Sequence, residues 1–314
     1  MSIIRKLPKE LSHVTRKAGR DYQPTFTQIL ASEAIINQAY AWLCKKRKNS
    51  SHNNDVWFLR RDWHKLKPWL QQQLLQGTYR FKPALRYKVD GEILDCWSAM
   101  DSLVLKCLAL VLSEHIPETI KTHCYHLKGK GGTHGAVRIV KEQLPEYKFF
   151  CRTDVQEYYA NINHKILWRM LKRRFKEKHI RRLLWHYIKS TTEIGGTFKD
   201  RHQGIGRGCP LASVISALYL EALDEEMGKD KNIEYVRYMD DWVILTKTRK
   251  HLRKAIATMN KVLESLCLWK HPDKTEMGKI DKGFDFLGFH ITRSKMGMAR
   301  ESIKRLRACL ISLL

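Results

Sequence analysis

Apolar residues return at helical spacing through residues 29–43 and again through 57–75, where Gly77 ends the pattern. The polar stretch between them, KKRKNSSHNND at 45–55, has the composition of an exposed linker, so the first segment reads as an N-terminal helical arm. Residues 79–89 look extended, and 98–113 form a further apolar helix. Gly129, Gly131, Gly132 and Gly135 then interrupt regular structure ahead of a helix around 136–144. KFFCRTDV at 148–155 predicts a strand. Ser213 suits the N-cap of a helix ending near Gly228, with Val214, Leu218 and residues 220–223 supplying its apolar faces. Residues 235–246 read as strand, tight turn, strand. Leu252, Ile256, Met259, Leu263 and Leu266 recur at helix spacing, and a last strand pair is expected around 276–280 and 284–291. The order strand, helix, strand, strand, helix, strand is the split βαβ arrangement of an α+β fold. Such a sheet brings the end of its first strand beside the turn of its central hairpin.

Composition changes the picture by naming a partner. Lys and Arg number 58 against 32 Asp and Glu in 314 residues, a formal charge of +26, which implies a polyanion. An apolar fraction of 43% suffices for one multi-part unit with a shared core. The longest uncharged apolar run, 209–220, is shorter than the roughly 20 residues of a membrane span and contains Pro210. No apolar stretch follows the basic first 20 residues as in a signal peptide, so a soluble, cytoplasmic protein without membrane association is expected. The eight cysteines stand singly and read as small buried side chains in a reducing compartment. His123, Cys124 and His126 are close together at a spacing that fits no standard metal knuckle. Residues 165–189 hold ten Lys or Arg and one acid, Glu177, interleaved with Trp168, Phe175, Trp185 and Tyr187. A solvated helix face explains such a run, but under the overall charge it reads as a duplex track, with Lys172, Arg173, Arg174, Arg181 and Arg182 meeting phosphates.

The candidate chemistry lies in adjacent carboxylates. Asp240 and Asp241 occupy a YMDD turn between apolar strands, and Asp154 ends a strand that the sheet order brings beside them. Paired aspartates alone are more often a solvated turn. Three converging carboxylates repel one another unless a hard divalent cation compensates, and two magnesium ions so held are what phosphoryl transfer requires.

These residues carry a resemblance. Tyr238-Met239-Asp240-Asp241 matches the YxDD box of reverse transcriptases, and FFCRTDVQEYYANI (149–162) resembles their first palm motif. QGIGRGCPLASVISALYL (203–220) resembles the GxPQGxxxSPxLxNxxL segment, and KHPDKTEMG (270–278) and FDFLGF (284–289) resemble the next two motifs. All occur in family order from about residue 75 to 292. The chain therefore resembles bacterial reverse transcriptases of the group II intron-type and group II-like lineage. The resemblance implies a right-hand polymerase fold of fingers and palm: an arm and linker at 1–55, fingers at 56–146, the first catalytic palm strand at 147–164, a basic fingers insertion at 165–203, palm at 204–292 and the start of a short or absent thumb at 293–314, with 302–313 as its first helix. It implies an RNA-directed DNA polymerase extending a DNA or RNA primer on an RNA template from dNTPs, with two Mg²⁺ ions for which Mn²⁺ can substitute. A protein partner would then supply thumb-like surface.

By the same resemblance Asp154, Asp240, Asp241 and the Val155 carbonyl hold metal, and Lys274 protonates the leaving pyrophosphate. Lys88, Tyr159, Arg207 and Gly208 meet the nucleotide, Tyr159 beneath the deoxyribose. Phe286, Leu287 and Gly288 form the primer grip. The chain departs from the family pattern at Gly206 and Arg207, where proline and glutamine are usual, at Ala212-Ser213 in place of Ser-Pro, and at Leu94, three residues after Gly91, where an arginine is usual. A non-catalytic RNA-binding or maturase-like protein retaining the fold is the competing reading.

Overall fold

In the computed structural model, which describes residues 24–89 and 92–311, eleven strands follow in chain order. They are β1 (Ala84–Val89), β2 (Glu92–Cys96), β3 (Phe149–Thr153), β4 (Thr191–Ile194), β5 (Thr197–Asp200), β6 (Ile233–Tyr238), β7 (Asp241–Thr246), β8 (Glu276–Lys279), β9 (Phe284–Phe286), β10 (Phe289–Ile291) and β11 (Met296–Met298). Two units emerge: Met1–Ile116 with Ile162–Ile215, and Pro117–Asn161 with Ser216–Leu314. Residues 1–23 of the expected arm lie outside the described residues.

The first unit is built on the helix Ala99–Ser113, buried on nearly every side through Leu103, Val104, Leu105, Cys107, Leu108 and Leu112. Ser98 caps its N-terminus, accepting from the Asp101 N–H. Asp101 is itself buried, where its carboxylate accepts the Tyr79 hydroxyl at 2.7 Å and the Ser98 hydroxyl at 2.7 Å. The helices Phe26–Leu30 and Glu33–Lys46 begin at Thr25 and Ser32, whose hydroxyls accept the Gln28 and Ile35 N–H groups. The stretch expected as an exposed linker is tied down: Arg47 pairs with Asp55 at 3.0 Å and donates to the Trp97 carbonyl at 2.7 Å. A sheet in the order β2-β1-β4-β5 completes the unit, β1 and β4 running parallel. The β4–β5 hairpin was not foreseen; Gly195 and Gly196, at φ 55° and 82°, close its two-residue turn.

In the second unit the expected split βαβ sheet is present in the order β6-β7-β3-β8, every neighbour antiparallel. Side-chain alternation gives it two buried faces. Phe150, Val236, Val243 and Leu245 pack with Ala136, Val137 and Val140 of the helix Gly132–Gln143 and with Phe284 and Phe286. On the opposite face Trp242 meets the helix Arg249–Ser265, its indole Nε1 lying 3.2 Å from Met259 Sδ. Residues 117–146, expected with the fingers, thus share a core with this sheet, while 204–215 fall in the first unit.

Three expectations are corrected. The last strand pair is not one pair: β8 adds to the edge of the main sheet beside β3, and β9 and β10 form a separate three-stranded sheet with β11. Gly283 at φ 72° breaks the chain between them. The helix assigned to Ser213 begins at Pro210, whose ring presets the first helical position, and divides into Pro210–Tyr219 and Glu221–Lys229. Cys107, Cys124, Cys151 and Cys209 are buried as expected, but Cys96 and Cys309 are exposed. The helix expected over 302–313 is described as Arg300–Ile311, with residue 313 outside the described residues. No helix among the described residues is long and apolar enough to cross a membrane.

Candidate active site

Strand pairing brings the carboxylates to one end of the main sheet of the second unit. Thr153, the last residue of β3, is opposite Trp242 of β7, so Asp154 leaves its strand where β7 begins with Asp241. Tyr238 pairs with Asp241, leaving Met239 and Asp240 as a two-residue turn. Asp154 is 7% exposed and its Oδ1 is buried without a hydrogen-bond partner. Its Oδ2 accepts from Lys274 Nζ at 2.7 Å. Burial, then the charges of Asp240 and Asp154, push Asp241 up to about 7, although Lys274 and Arg152 pull the other way. Backbone pairing fixes the segment after Asp154: the His271 N–H donates to the Asp154 carbonyl at 2.9 Å, and Val155 bridges Lys270.

Among the described residues no three His, Cys, Asp or Glu side chains already converge as a ligand set. A hard cation nevertheless suits what is present. The orphaned oxygen of Asp154 and the Asp241 carboxyl, which burial and then its neighbours' charges push up, are relieved together by divalent metal, with Lys274 as the cation that offsets part of the charge meanwhile.

The turn itself is framed by side chains to which no motif pointed. Arg237, wholly buried in β6, donates from Nη1 to the Met239 carbonyl at 2.9 Å and pairs with buried Asp224 through Nε at 2.8 Å and through Nη2. The Met239 N–H donates to His126 Nδ1 at 3.0 Å. One signal was legible, an arginine inside a strand between the apolar Val236 and the YMDD turn. Its partner Asp224, 13 positions earlier in a helix, was not.

A family model described as Reverse transcriptase (RNA-dependent DNA polymerase) matches residues 96–291, more than half of the chain. The chain belongs to the reverse transcriptase family. It is similar to Protein YkfC of Escherichia coli (strain K12), 25% identical over 270 residues that cover 72% of this chain and 71% of that one. It is also similar to the group II intron-encoded protein LtrA of Lactococcus lactis subsp. cremoris, 19% identical over 160 residues, 49% of this chain and 27% of LtrA. Among solved structures, telomerase from Candida albicans, determined with a TWJ fragment of telomeric RNA, matches with a TM-score of 0.56 over 71% of this chain and 46% of that chain, at 12% identity. That likeness is one of fold. The chain spans about a quarter of LtrA and less than half of the telomerase chain.

In the reverse transcriptase palm, Tyr159 stands on a short helix, Tyr158–Asn161, that the chain enters through Glu157 at φ 45°. Tyr158 is the core residue of the pair, its hydroxyl donating to the Ser216 carbonyl at 2.6 Å, while Tyr159 is half-buried with its ring against Tyr158. The predicted primer grip divides similarly. The Phe286 side chain is buried in the core, and Leu287 and Gly288, at φ 49° and 83°, form the turn of the β9–β10 hairpin. The Gly288 carbonyl accepts from Ala299 N at 2.9 Å and Ser302 Oγ at 3.0 Å.

Lys88, Arg207 and Gly208 belong to the first unit. Lys88 is exposed on β1. The segment 206–208 is held by Asp95, whose N–H donates to the Arg207 carbonyl at 3.1 Å and whose carboxylate pairs with Arg86 and Arg201. That carboxylate explains a departure from the family pattern: a Cβ on Gly206 would approach Asp95 Oδ2 to 2.4 Å. The basic run forms two helices, His164–Arg174 and Lys178–Ile188. Lys172, Arg173 and Arg182 are exposed, but Arg181 donates to the Phe175 carbonyl at 2.6 Å and the Lys172 carbonyl at 2.9 Å, closing the first helix. Glu177, the lone acid, receives the N–H groups of Phe26 and Thr27.

Proposed function

We propose that the chain is an RNA-directed DNA polymerase that extends a primer from deoxynucleoside triphosphates. The observation that carries the reading is the approach of Asp154 to the Asp240-Asp241 turn, with Asp154 Oδ1 orphaned and burial, then the neighbouring like charges, pushing Asp241 up to about 7. An RNA template is supported by the family's description and by the telomerase solved with telomeric RNA.

Asp154, Asp240, Asp241 and the Val155 carbonyl would hold two magnesium ions, manganese being a substitute. Bound metal of this kind supplies a primer hydroxyl of lowered pKa and neutralises charge on the leaving pyrophosphate. The chain's own side chains do the remaining work. Lys274, whose ammonium is 2.7 Å from Asp154 and largely exposed, holds a proton where a departing pyrophosphate could take it. Tyr159 supplies a rigid ring beneath the incoming sugar that leaves no room for a 2′-hydroxyl. The Leu287-Gly288 turn steadies the primer end. Lys88, Arg207 and Gly208 bind the triphosphate, Lys88 as a point charge and Gly208 by letting backbone approach closely.

Primer extension on RNA and DNA templates tests this reading. Asp240→Asn should lower incorporation about a thousand-fold or more, since loss of a ligand from a two-metal site costs several kcal/mol, and leave template binding nearly intact. A wild-type chain that binds RNA tightly yet adds no nucleotide under magnesium or manganese would establish the non-catalytic, maturase-like alternative instead.

A further inference from the structure

Beneath the YMDD turn the palm buries a charged cluster that the chemistry above leaves unused. Arg237 and Asp224 are both fully buried, on the face of the sheet that carries Trp242. Ions taken out of water recover their hydration only when their partners are very well placed, and an apolar pair of similar volume is often as stable or more so. Stability alone is therefore a weak reason for an arginine here.

What a guanidinium adds is a planar fork of five donors. Asp224 takes Nε at 2.8 Å and also Nη2, which fixes the plane of that fork, and Nη1 is left aimed at the Met239 carbonyl at 2.9 Å. That carbonyl belongs to the peptide joining Met239 to Asp240. The preceding peptide, joining Tyr238 to Met239, is held by its N–H, which donates to His126 Nδ1 at 3.0 Å. Since the turn has only these two residues, both peptide planes leading into Asp240 are set from outside it. Met239 keeps φ at 56°, a left-handed value that a residue with a side chain adopts readily only when its surroundings enforce it. The segment carrying His126 is registered on the same strand, for the Tyr125 N–H donates to the Arg237 carbonyl at 2.8 Å and Cys124 bridges Arg237.

We propose that Arg237, oriented by Asp224, acts with His126 to set the peptide planes of the Met239-Asp240 turn and so to aim the Asp240 carboxylate. These are positioning residues, and the inference rests on the polymerase reading for what Asp240 is aimed at.

The deciding variant combines Arg237→Met with Asp224→Leu, which removes both buried charges and keeps apolar volume. Thermal melting, Mn²⁺ titration by electron paramagnetic resonance and single-nucleotide incorporation are measured on it, on His126→Ala and on Arg237→Lys. The double variant should melt close to wild type yet incorporate about 10–100-fold more slowly at saturating primer-template, as misplacement of a catalytic group by about 1 Å does. Its KM for the nucleotide should stay within about twofold and its Mn²⁺ affinity fall about tenfold. His126→Ala should shift rate and Mn²⁺ affinity in the same direction, which keeps the test alive if the double variant does not fold. A folded double variant or His126→Ala with wild-type rate and Mn²⁺ affinity overturns the proposal and leaves the polymerase reading standing. If the wild type incorporates nothing but binds Mn²⁺ through Asp240, and the variants weaken that binding, positioning stands and the polymerase reading falls. Absence of any Asp240-dependent Mn²⁺ binding removes both.

Discussion

Tyr158 and Tyr159 are adjacent residues of one type that differ in burial, so a fold role and the proposed site role can be tested separately. Tyr158 is buried with its hydroxyl on the Ser216 carbonyl, so truncation there should cost about 3–5 kcal/mol of stability, the range for large buried aromatics. Tyr159 is half-buried, and its loss should cost about 1–2 kcal/mol, roughly half the transfer energy of a large apolar side chain and then some. The sugar-gate role therefore makes a separable forecast: Tyr159→Ala remains folded, slows overall synthesis and raises ribonucleotide use relative to deoxyribonucleotide use. Parallel incorporation assays with dNTP and rNTP decide it. An unchanged discrimination ratio in the folded variant rules out the gate, and equal loss with both substrates alongside a large drop in melting temperature assigns Tyr159 to the core.

At the scale of elements, the two basic helices mix structural and surface cations. Lys172 and Arg173 are exposed, whereas Arg181 spends its guanidinium on the carbonyls of Phe175 and Lys172. Replacing Lys172 and Arg173 by Gln should flatten the salt dependence of duplex binding by about 0.9 in log–log slope for each phosphate no longer neutralised, without changing stability. Arg181→Gln should instead cost about 1–3 kcal/mol in stability, as two charge-assisted caps are removed, and leave the slope alone. A salt titration of binding beside a denaturant melt separates them, and a slope change confined to Arg181→Gln would reverse the assignment. Legibility followed the same division between local and distant causes. The main sheet could be read because its strands are short, largely apolar runs and its motifs are local, from β3 to the β6–β7 hairpin. The carboxylates were legible for that reason, since sheet order alone brings Asp154 to the turn. The β4–β5 hairpin was hidden because its residues are short, polar and largely exposed, and the division of 276–291 between two sheets depended on the left-handed backbone at Gly283. Arg237 with Asp224, and Asp95 with Gly206, depend on side chains far apart in sequence, which periodicity does not report.

For the whole molecule, the charge of +26 and the acidic centre make opposite demands on a polyanionic substrate. The excess of 58 basic over 32 acidic residues attracts nucleic acid over a Debye length of about 10 Å at 0.1 M salt, and that attraction fades as salt rises. The interactions around the carboxylates act at hydrogen-bond distance, Lys274 to Asp154 at 2.7 Å and Arg237 to Met239 at 2.9 Å, where screening is weak. Binding and chemistry should therefore respond differently to ionic strength. Between about 50 and 200 mM monovalent salt at fixed magnesium, duplex affinity should fall about a thousand-fold if some six phosphates are neutralised. The incorporation rate at saturating primer-template should change by no more than about twofold, because the groups proposed to set it are at hydrogen-bond distance and partly desolvated. Filter binding and single-turnover incorporation over the same salt series test both limbs. An affinity that barely moves would mean that the basic surface serves solubility rather than a phosphate track. A saturating rate that falls in step with affinity would mean that the long-range field, and not the local framework of the turn, holds the reacting groups in place.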